Sequence, residues 1–475
     1  MRIRVLTMMI TLGLVSALSS PTLAAKDTTI AGIWMGTLDL KGHQRRLVFN
    51  IKQNEDGSFN ATMDSPDQGS FYNPVDKVTL DSNHLHIAMP GIGMTVDGKF
   101  LAGESKMNCE FVQVGTKYPL VLERTDKAPQ INRPQNPAPP FPYDTQSVTF
   151  ENANAGVTLA GTLTIPQTPP PHPAVVLITG SGAQDRDETV FGHKPFWVIA
   201  DYLSHRGVAV LRYDDRGFGE STGDFKFATS EDFAGDVKAA VAFLKKRNDI
   251  DPKQIGLIGH SEGAIIAPMV AAQNPDISYA VLLAAPGVIG EEILYEQMAL
   301  INRANGVSVS LVDWNLSLQE EFFKILKSVP EIDSARAKIR VMAKEKLALL
   351  SPEEIKTLGL SEQEISAQIA SFTSPWFRAF LVYDPIPTLQ RVQCPLLVLF
   401  GELDLQTSAI QNAPVIEQAL KESGHKDFTV KVLPGMNHLF QTATVGSPKV
   451  YGLIPETFSP VALETMSEWI LERVR

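Results

Sequence analysis

Two pentapeptides of the 475-residue chain place a serine between two glycines, in the pattern Gly-x-Ser-x-Gly. One is GHSEG at residues 259–263, and the other is GESTG at residues 219–223. On a sharp turn between a strand and a helix, this pattern exposes the serine hydroxyl as a nucleophile for acyl transfer. The sequence around each pentapeptide therefore indicates which serine is able to do this chemistry.

The flanking sequence favours Ser261 as the nucleophile. Apolar residues 255–258 predict a strand directly before it, and EGAIIAPMVAAQ predicts a helix directly after it. Gly259 and Gly263 have no Cβ, so the backbone is free to turn sharply and the helix to approach the strand. Ser221 lies several residues beyond its strand and precedes a polar stretch. The alternative interpretation of Ser261 is a helix N-cap in an inert or nucleotide-binding α/β protein.

A serine hydroxyl is a weak nucleophile near neutral pH, so Ser261 needs a base that is oriented by an acid. His438 follows the last predicted strand on a Pro-Gly loop, and Asp404 follows the preceding strand. The chain order serine, aspartate, histidine is the one expected for such a sheet. Taken singly, His438 could be a structural turn residue and Asp404 a helix N-cap. Glu402 is the second choice of acid, and we expect it to turn away because it lies closer to the strand.

The oxyanion formed during acyl transfer needs backbone N–H donors. We predict one donor at Glu262, directly after the nucleophile, and the other at Ser181, with Gly182 as the nearby alternative. The TGSG stretch at residues 179–182 could instead cradle a phosphate, but it lacks the spacing of dinucleotide-binding or Walker motifs.

The elements that must position these residues begin near residue 145, where short apolar strands alternate with amphipathic segments such as residues 231–246. This alternation predicts an α/β fold with a mainly parallel sheet covered on both faces, and places catalytic groups at the carboxyl ends of the strands. Residues 290–390 are too long and too helical for a crossover, so we predict an inserted helical cap. Trp376 and Phe377 of this cap either line an acyl pocket or pack within the cap.

Residues 26–126 alternate apolar and polar side chains, which predicts a small all-β domain, either a barrel or a sandwich. His84 and His86 share a strand face there, but no third metal ligand is evident, so we interpret them as solvent-facing or hydrogen-bonded. The chemistry predicted for Ser261, Asp404 and His438 requires no metal and no organic cofactor, so we predict neither. Residues 127–144 contain six prolines and predict a semi-rigid, extended linker between the two domains.

The first 25 residues have the features of a secretory signal peptide. Arg2 and Arg4 precede an apolar stretch at residues 5–18, and SSPTLAA at residues 19–25 supplies a small-residue cleavage region. The apolar stretch is too short to favour a retained membrane anchor. We therefore predict export to the periplasm or the medium, with no membrane insertion after the signal is removed.

Composition excludes some partners and leaves others open. The net charge of −11 and the absence of a long basic run argue against a nucleic-acid partner. The two cysteines, Cys109 and Cys394, fall in different predicted domains and do not make a disulfide framework. We interpret both as buried small apolar residues, while their pairing and the oligomeric state stay open.

Residues 146–475 resemble the α/β-hydrolase superfamily, in particular exported bacterial esterases related to the serine aminopeptidase and dienelactone-hydrolase groups. The resemblance rests on stretches that include ITGSGAQDRDE, LRYDDRGFGESTGDF, GHSEG, SPWFRAFLVYDP, GELD and NHLF. It implies that Asp215, Arg216 and Ser221 belong to a loop that shapes the site. It also implies an N-terminal β-domain with a DSPDQG stretch, found here at residues 64–69.

These observations predict a serine hydrolase that cleaves small-molecule carboxylic esters through an acyl-enzyme. One alternative is an aminopeptidase similar to proline iminopeptidases, which would need an acidic anchor for a free α-amino group, such as Glu291 or Glu292 of the cap. A second alternative is a binding protein whose β-domain recognises a glycan or lipid and whose hydrolase fold is inert.

Overall fold

The computed structural model describes residues 29–40, 43–54, 56–68, 70–113, 115–127, 133–358 and 362–474. The predicted signal peptide and residues 128–132 of the predicted linker lie outside these ranges. In the described ranges, no helix has both the length and the apolar character needed to cross a bilayer. The chain divides into two compact units, Met1–Met63 with Asn73–Ala128, and Asp64–Tyr72 with Pro129–Arg475.

The N-terminal region is a nine-stranded antiparallel sheet, which confirms its predicted all-β character. In space the strands follow the order β4-β3-β2-β1-β9-β8-β7-β6-β5. Alternate side chains of the sheet, including Trp34, Phe49 and Leu85, form one hydrophobic core. In chain order β1 to β9 are Gly32–Leu40, His43–Gln53, Phe59–Ser65, Ser70–Pro74, Lys77–Asp81, His84–Met89, Met94–Lys99, Lys106–Gln113 and Thr116–Thr125.

His84 and His86 both lie against the same carboxylate oxygen on β7. Asp97 Oδ1 lies 3.1 Å from His84 Nε2 and 2.8 Å from His86 Nδ1. Within the described residues, no group of three or more histidine, cysteine or carboxylate side chains is placed to hold a metal ion.

The C-terminal region contains an eight-stranded mixed sheet in the order β10-β11-β13-β12-β14-β15-β16-β17. The strands β12 to β17 pair in parallel, whereas β10 and β11 form an antiparallel edge. This arrangement confirms the predicted mainly parallel sheet. In chain order β10 to β17 are Tyr143–Asn152, Val157–Pro166, His172–Ile178, Ala209–Tyr213, Ile250–His260, Ile277–Leu283, Leu396–Gly401 and Phe428–Leu433.

Helices cover both faces of this sheet. One hydrophobic core packs α2, α3 and α11 against the first face, and a second packs α1 and α12 against the other. The seven helices α4 to α10 are inserted between β15 and β16, where the sequence predicts a cap. In chain order α1 to α12 are Pro195–Ser204, Ser230–Lys245, Gly263–Ala271, Gly290–Ala304, Val309–Ser328, Ile332–Leu347, Pro352–Leu358, Glu362–Phe372, Pro375–Val382, Ile386–Leu389, Ala409–Glu422 and Pro460–Leu471.

The end of the proline-rich segment packs within the C-terminal unit. Arg133 is buried and donates hydrogen bonds to the carbonyl oxygens of Phe191, Gly452 and Ile454. The last two residues of the predicted linker, 143 and 144, lie in β10. This strand is absent from the sequence prediction because it is an edge strand whose side chains are mostly exposed, so its alternation is weak.

The two cysteines are half-buried and unpaired, which differs from the expectation that both are fully buried. Cys109 lies on β8 beside Gly98 of β7, where the absence of a Cβ leaves room for its Sγ. Burial raises the pKa of each thiol to about 12, so neither is a reactive thiolate at neutral pH.

Candidate active site

Ser261 lies on a strained turn between β14 and α3. Its φ is +54°, in the left-handed region, and its backbone N–H donates to the carbonyl of Leu283 on β15 at 2.8 Å. A Cβ added at Gly259 would lie 2.0 Å from the carbonyl oxygen of Gly263, and one at Gly263 would lie 2.2 Å from that of Ile178. Only glycine fits at both positions, so the pentapeptide is required by the turn that exposes the serine.

Ser221, in the second pentapeptide, is used for structure. Its buried Oγ accepts the backbone N–H of Ala160 at 2.9 Å and donates to the carbonyl of Asp214 at 2.7 Å. These two hydrogen bonds join the loop that follows β13 to strand β11. The hydroxyl is thus engaged at both its donor and an acceptor position.

We expect the Ser221→Ala variant to lose stability and to keep a reactive Ser261. The substitution leaves a buried N–H and a buried carbonyl without their partner, which costs about 1–3 kcal/mol in the free energy of unfolding. Urea unfolding measures this loss, and a fluorophosphonate probe with peptide mapping locates the reactive serine. A wild-type adduct on Ser221 would show that the two serines have been assigned the wrong way round.

Asp404 and His438 are hydrogen-bonded to each other at adjacent strand ends. Asp404 follows β16 and His438 follows β17, and His438 Nδ1 lies 2.8 Å from Asp404 Oδ2. Asp404 also accepts the backbone N–H groups of Gln406 and Thr407 at 2.7 and 3.0 Å, and the Thr407 hydroxyl at 2.8 Å. The carboxylate is therefore fixed by four donors, and it fixes the orientation of the imidazole.

The environment of Asp404 keeps it ionised. Burial alone would raise the pKa of the carboxyl, but the charge and hydrogen bond of His438 and the two N–H groups outweigh burial and hold the pKa below its usual value. The second choice of acid, Glu402, is exposed and accepts the backbone N–H of Gly435 at 2.8 Å. Asp404, and not Glu402, is the carboxylate that contacts His438.

A cavity of about 430 Å³ brings the candidate residues together at the carboxyl ends of the strands. Ser181, Ser261, Glu262 and His438 all line it. The cap supplies part of its apolar wall through the side chains of Ile293, Leu294, Phe372, Trp376, Phe377 and Phe380. Trp376 and Phe377 therefore both face the cavity, and Phe377 also packs in the buried core of the cap.

The two predicted oxyanion donors are available. In the part of the chain that the structure describes, the backbone N–H groups of Ser181 and Glu262 donate to no protein acceptor. Ser181 lines the cavity and Gly182 is not among its lining residues, which favours Ser181 over the alternative. Both N–H groups are thus free to donate to a ligand.

Asp215 holds the loop that carries Ser181. Its carboxylate accepts the Thr179 hydroxyl at 2.8 Å and the backbone N–H of Gln184 at 2.9 Å, so it fixes residues on either side of Ser181. Burial raises the pKa of this carboxyl well above its usual value. Arg216, the next residue, forms a buried ion pair with Asp236 at 2.7 Å. Both side chains have the structural surroundings that the resemblance implies.

Sequence reasoning missed the contacts made by the side chain of Glu262. Its Oε1 accepts the Ser230 hydroxyl and the Trp376 indole N–H, both at 2.6 Å, and burial raises the pKa of the carboxyl. The residue after the predicted nucleophile is therefore bonded to the cap. No sequence signal marks this contact, because Glu262 and Trp376 are 114 positions apart.

Glu291 and Glu292, the acidic anchors predicted for an aminopeptidase, lie outside the cavity. Glu291 accepts the Tyr295 hydroxyl at 2.8 Å and forms an ion pair with Lys327 at 2.5 Å. Neither Glu291 nor Glu292 is among the residues that line the cavity. The acids that do line it, Glu188 and Glu262, are each bonded to protein donors.

Comparison with known proteins gives one family and several individual relatives. The alpha/beta hydrolase family profile matches residues 175–445. Esterase EstD of Thermotoga maritima is 26% identical over 315 residues, which are 66% of this chain and 66% of that protein. The uncharacterized protein YfhR of Escherichia coli K12 is 30% identical over 124 residues, which are 26% of this chain and 40% of that protein. The chain thus spans just under two thirds of the esterase and less than half of YfhR.

Among solved structures, an esterase of Pyrococcus furiosus aligns with a TM-score of 0.43 and 15% identity over 70% of this chain and 92% of that one. A dienelactone hydrolase from Anabaena variabilis aligns with a TM-score of 0.39 and 15% identity over 70% of this chain and all of that one, 100%.

Proposed function

The chain belongs to the alpha/beta hydrolase family, and from this we propose that it cleaves carboxylic esters through a serine acyl-enzyme. The observation that carries the proposal is the 2.8 Å hydrogen bond between Asp404 and His438, with His438 and the strained Ser261 lining the same cavity. The similarity to an esterase of Thermotoga maritima supports the choice of ester over other acyl derivatives.

In the proposed reaction, the Ser261 hydroxyl attacks the acyl carbon while His438 Nε2 takes its proton. Asp404 holds Nδ1–H of the imidazole and stabilises the imidazolium that forms. The N–H groups of Glu262 and Ser181 donate to the oxyanion of the tetrahedral intermediate. His438 then returns the proton to the leaving alcohol, and water hydrolyses the acyl-enzyme by the same steps in reverse.

The cavity fits a neutral, apolar acyl group. Its wall of six aliphatic and aromatic cap side chains, led by Trp376 and Phe380, provides an apolar surface of the kind that binds small molecules. An aminoacyl amide would need a free carboxylate for its amino group, whereas Glu188 and Glu262 already accept protein donors. Ester cleavage is therefore the function that the site supports best.

A panel of nitrophenyl acyl esters and aminoacyl nitroanilides tests this proposal on the wild-type protein. We expect turnover of the neutral esters, weak turnover of the nitroanilides and a fluorophosphonate adduct on Ser261. A strong preference for the aminoacyl nitroanilides would instead indicate a peptidase. The absence of both activities together with an unlabelled Ser261 would indicate an inert hydrolase fold.

We expect esters whose acyl group carries a carboxylate to be poor substrates. Of the described residues, those that line the cavity include Glu188 and Glu262 but no lysine or arginine. The carboxylate of the acyl group would lose its hydration without gaining a free cationic partner, because His260 is already paired with Glu188 and His438 with Asp404. Nitrophenyl pentanoate and nitrophenyl hemiglutarate are matched in chain length, and kcat/KM should be at least about tenfold lower for the charged ester. Equal values would contradict the assignment of this cavity as the acyl pocket.

A further inference from the structure

A buried pair of side chains, Glu188 and His260, connects three parts of the site. Glu188 Oε1 accepts the backbone N–H of Gly180 at 2.8 Å and lies 2.9 Å from His260 Nδ1. His260 Nε2 lies 3.0 Å from the backbone carbonyl oxygen of His438. The side chains of Glu188 and His260 are only 4% and 8% exposed.

The geometry favours one charge state of the pair. Both ring nitrogens of His260 face an acceptor, a carboxylate oxygen at Nδ1 and a carbonyl oxygen at Nε2. A neutral imidazole carries one N–H and would direct a lone pair at one of these oxygens. With Glu188 ionised, both contacts are satisfied only when both nitrogens carry hydrogen, that is, when His260 is an imidazolium.

The electrostatic surroundings agree with this charge. Burial alone would lower the pKa of His260, but Glu188, the His438 carbonyl and the charge of Asp404 outweigh burial and raise the pKa above its usual value. The ring of His438 lies 4.9 Å from that of His260, centre to centre. The groups that face His260 are thus the carboxylates of Glu188 and Asp404 and the imidazole of His438.

Each contact of the pair lies next to a residue with a proposed role in the reaction. Gly180 precedes Ser181, the predicted second oxyanion donor, and His260 itself precedes Ser261. The third contact holds the backbone of His438, the predicted base. Since a displacement of about 1 Å at a reacting group costs on the order of 10²-fold in rate, a unit that joins all three has a direct effect on kcat.

We propose that the Glu188–His260 ion pair is a positioning unit that sets the relative placement of the oxyanion donor, the nucleophile and the base. It acts through Ser181, Ser261 and His438 and not on the substrate. This inference rests on the proposed function, because that function assigns the roles of the three residues that the pair positions.

Three variants test the unit, namely Glu188→Gln, His260→Gln and the double variant, with His205→Gln as a surface control. We expect each single variant to lower kcat for a neutral nitrophenyl ester on the order of 10²-fold while KM changes little. The double variant should lose about as much as either single one, because removal of one partner already removes the unit. His205→Gln should keep the wild-type kcat, since His205 lies at the end of α1 and does not line the cavity.

The pH profile separates positioning from simple loss of stability. In His260→Gln the Glu188 carboxylate loses its cation, so it favours the protonated imidazole of His438 and moves the acid limb of kcat/KM to higher pH. In the double variant the charge is again balanced, so the limb should return to the wild-type position. Two results would overturn the proposal. One is an acid limb of kcat/KM in His260→Gln that stays at the wild-type pH, and the other is a double variant whose loss in kcat is the product of the two single losses.

Nitrogen-15 NMR of histidine-labelled wild-type protein tests the charge state without any turnover. We expect one histidine with two protonated ring nitrogens at neutral pH, and its signal should be missing from His260→Gln. A neutral His260 would overturn the inference even if the enzyme is active. A wild-type protein that cleaves no ester would instead overturn the proposed function and leave this measurement of the pair intact.

Discussion

Replacing Ser261 by alanine is expected to lower kcat for ester cleavage by roughly 10⁵- to 10⁶-fold, because the attacking oxygen is lost. KM should change little, since the cavity wall comes mainly from other side chains. Alanine meets the same backbone constraint as serine at a φ of +54°, so the turn and the fold should persist. Steady-state kinetics on nitrophenyl esters, with protein from a host lacking other esterases, measures the loss.

The second serine of the chain supplies the matched control for this experiment. Ser221→Ala removes a serine from the same five-residue pattern, but its hydroxyl is bonded to the backbone of Ala160 and Asp214. It should therefore keep far more activity than Ser261→Ala when equal amounts of folded protein are compared. Ester turnover that survives unchanged in Ser261→Ala would contradict the proposed mechanism.

The turn that carries Ser261 is predictable from sequence because its determinants are local. An apolar strand, a serine between two glycines and a helix all fall within about twenty residues. The structure adds the steric reason for the glycines, since a Cβ at Gly259 or Gly263 would lie within 2.2 Å of a carbonyl oxygen. Local sequence therefore indicated both the turn and the residue that it exposes.

The meeting of Asp404 and His438 depends on the order of strands, which is only indirectly visible in sequence. Each residue follows its own strand, and β16 and β17 are neighbours that pair in parallel through Leu396 and Phe428. The sequence places both residues at carboxyl ends of strands. Their adjacency required that consecutive strands also be adjacent in space, which holds for this part of the sheet.

The contacts that sequence could not predict join distant parts of the chain. Glu188 and His260 are 72 positions apart, and Glu262 and Trp376 are 114 apart. Each contact depends on the direction in which a side chain points within a packed core. The pattern of apolar and polar residues along the sequence does not specify this direction. The sequence likewise predicted cap helices but left open whether Trp376 faces the cavity or the cap interior. Its indole N–H faces Glu262 because this buried carboxylate needs a donor.

The two unpredicted carboxylates have different consequences for the site. Glu188 is paired with His260 inside the fold, so in the proposed ion pair it orients neighbouring groups without placing a net charge in the cavity. Glu262 accepts neutral donors from Ser230, Trp376 and Ser181, and its pKa is raised by burial. Glu188 therefore concerns the placement of the proposed reacting groups, while Glu262 concerns the attachment of the cap and the shape of the cavity.

Replacing Asp404 by asparagine is expected to lower kcat by about 10⁴-fold while leaving the shape of the loop intact. An asparagine amide that donates to Nδ1 would favour the wrong tautomer of His438, and it carries no charge to stabilise the imidazolium. Glu402→Gln is the matched control, because Glu402 is exposed and bonded to Gly435, and its kcat should stay near the wild-type value. A large loss of kcat in Glu402→Gln and a near wild-type kcat in Asp404→Asn would show that the orienting acid has been wrongly assigned.

The difference in unfolding free energy between wild type and Asp404→Asn should depend on pH in a defined direction. Since the pKa of Asp404 is lower in the folded protein than in the unfolded chain, its ionisation stabilises the fold above the unfolded pKa of about 3.9. That contribution is lost as the pH falls through the folded pKa. The gap in unfolding free energy between wild type and Asp404→Asn should therefore be largest near pH 7 and should narrow below about pH 4. A gap that widens on acidification would show that burial, and not the bond to His438, dominates the surroundings of this carboxylate.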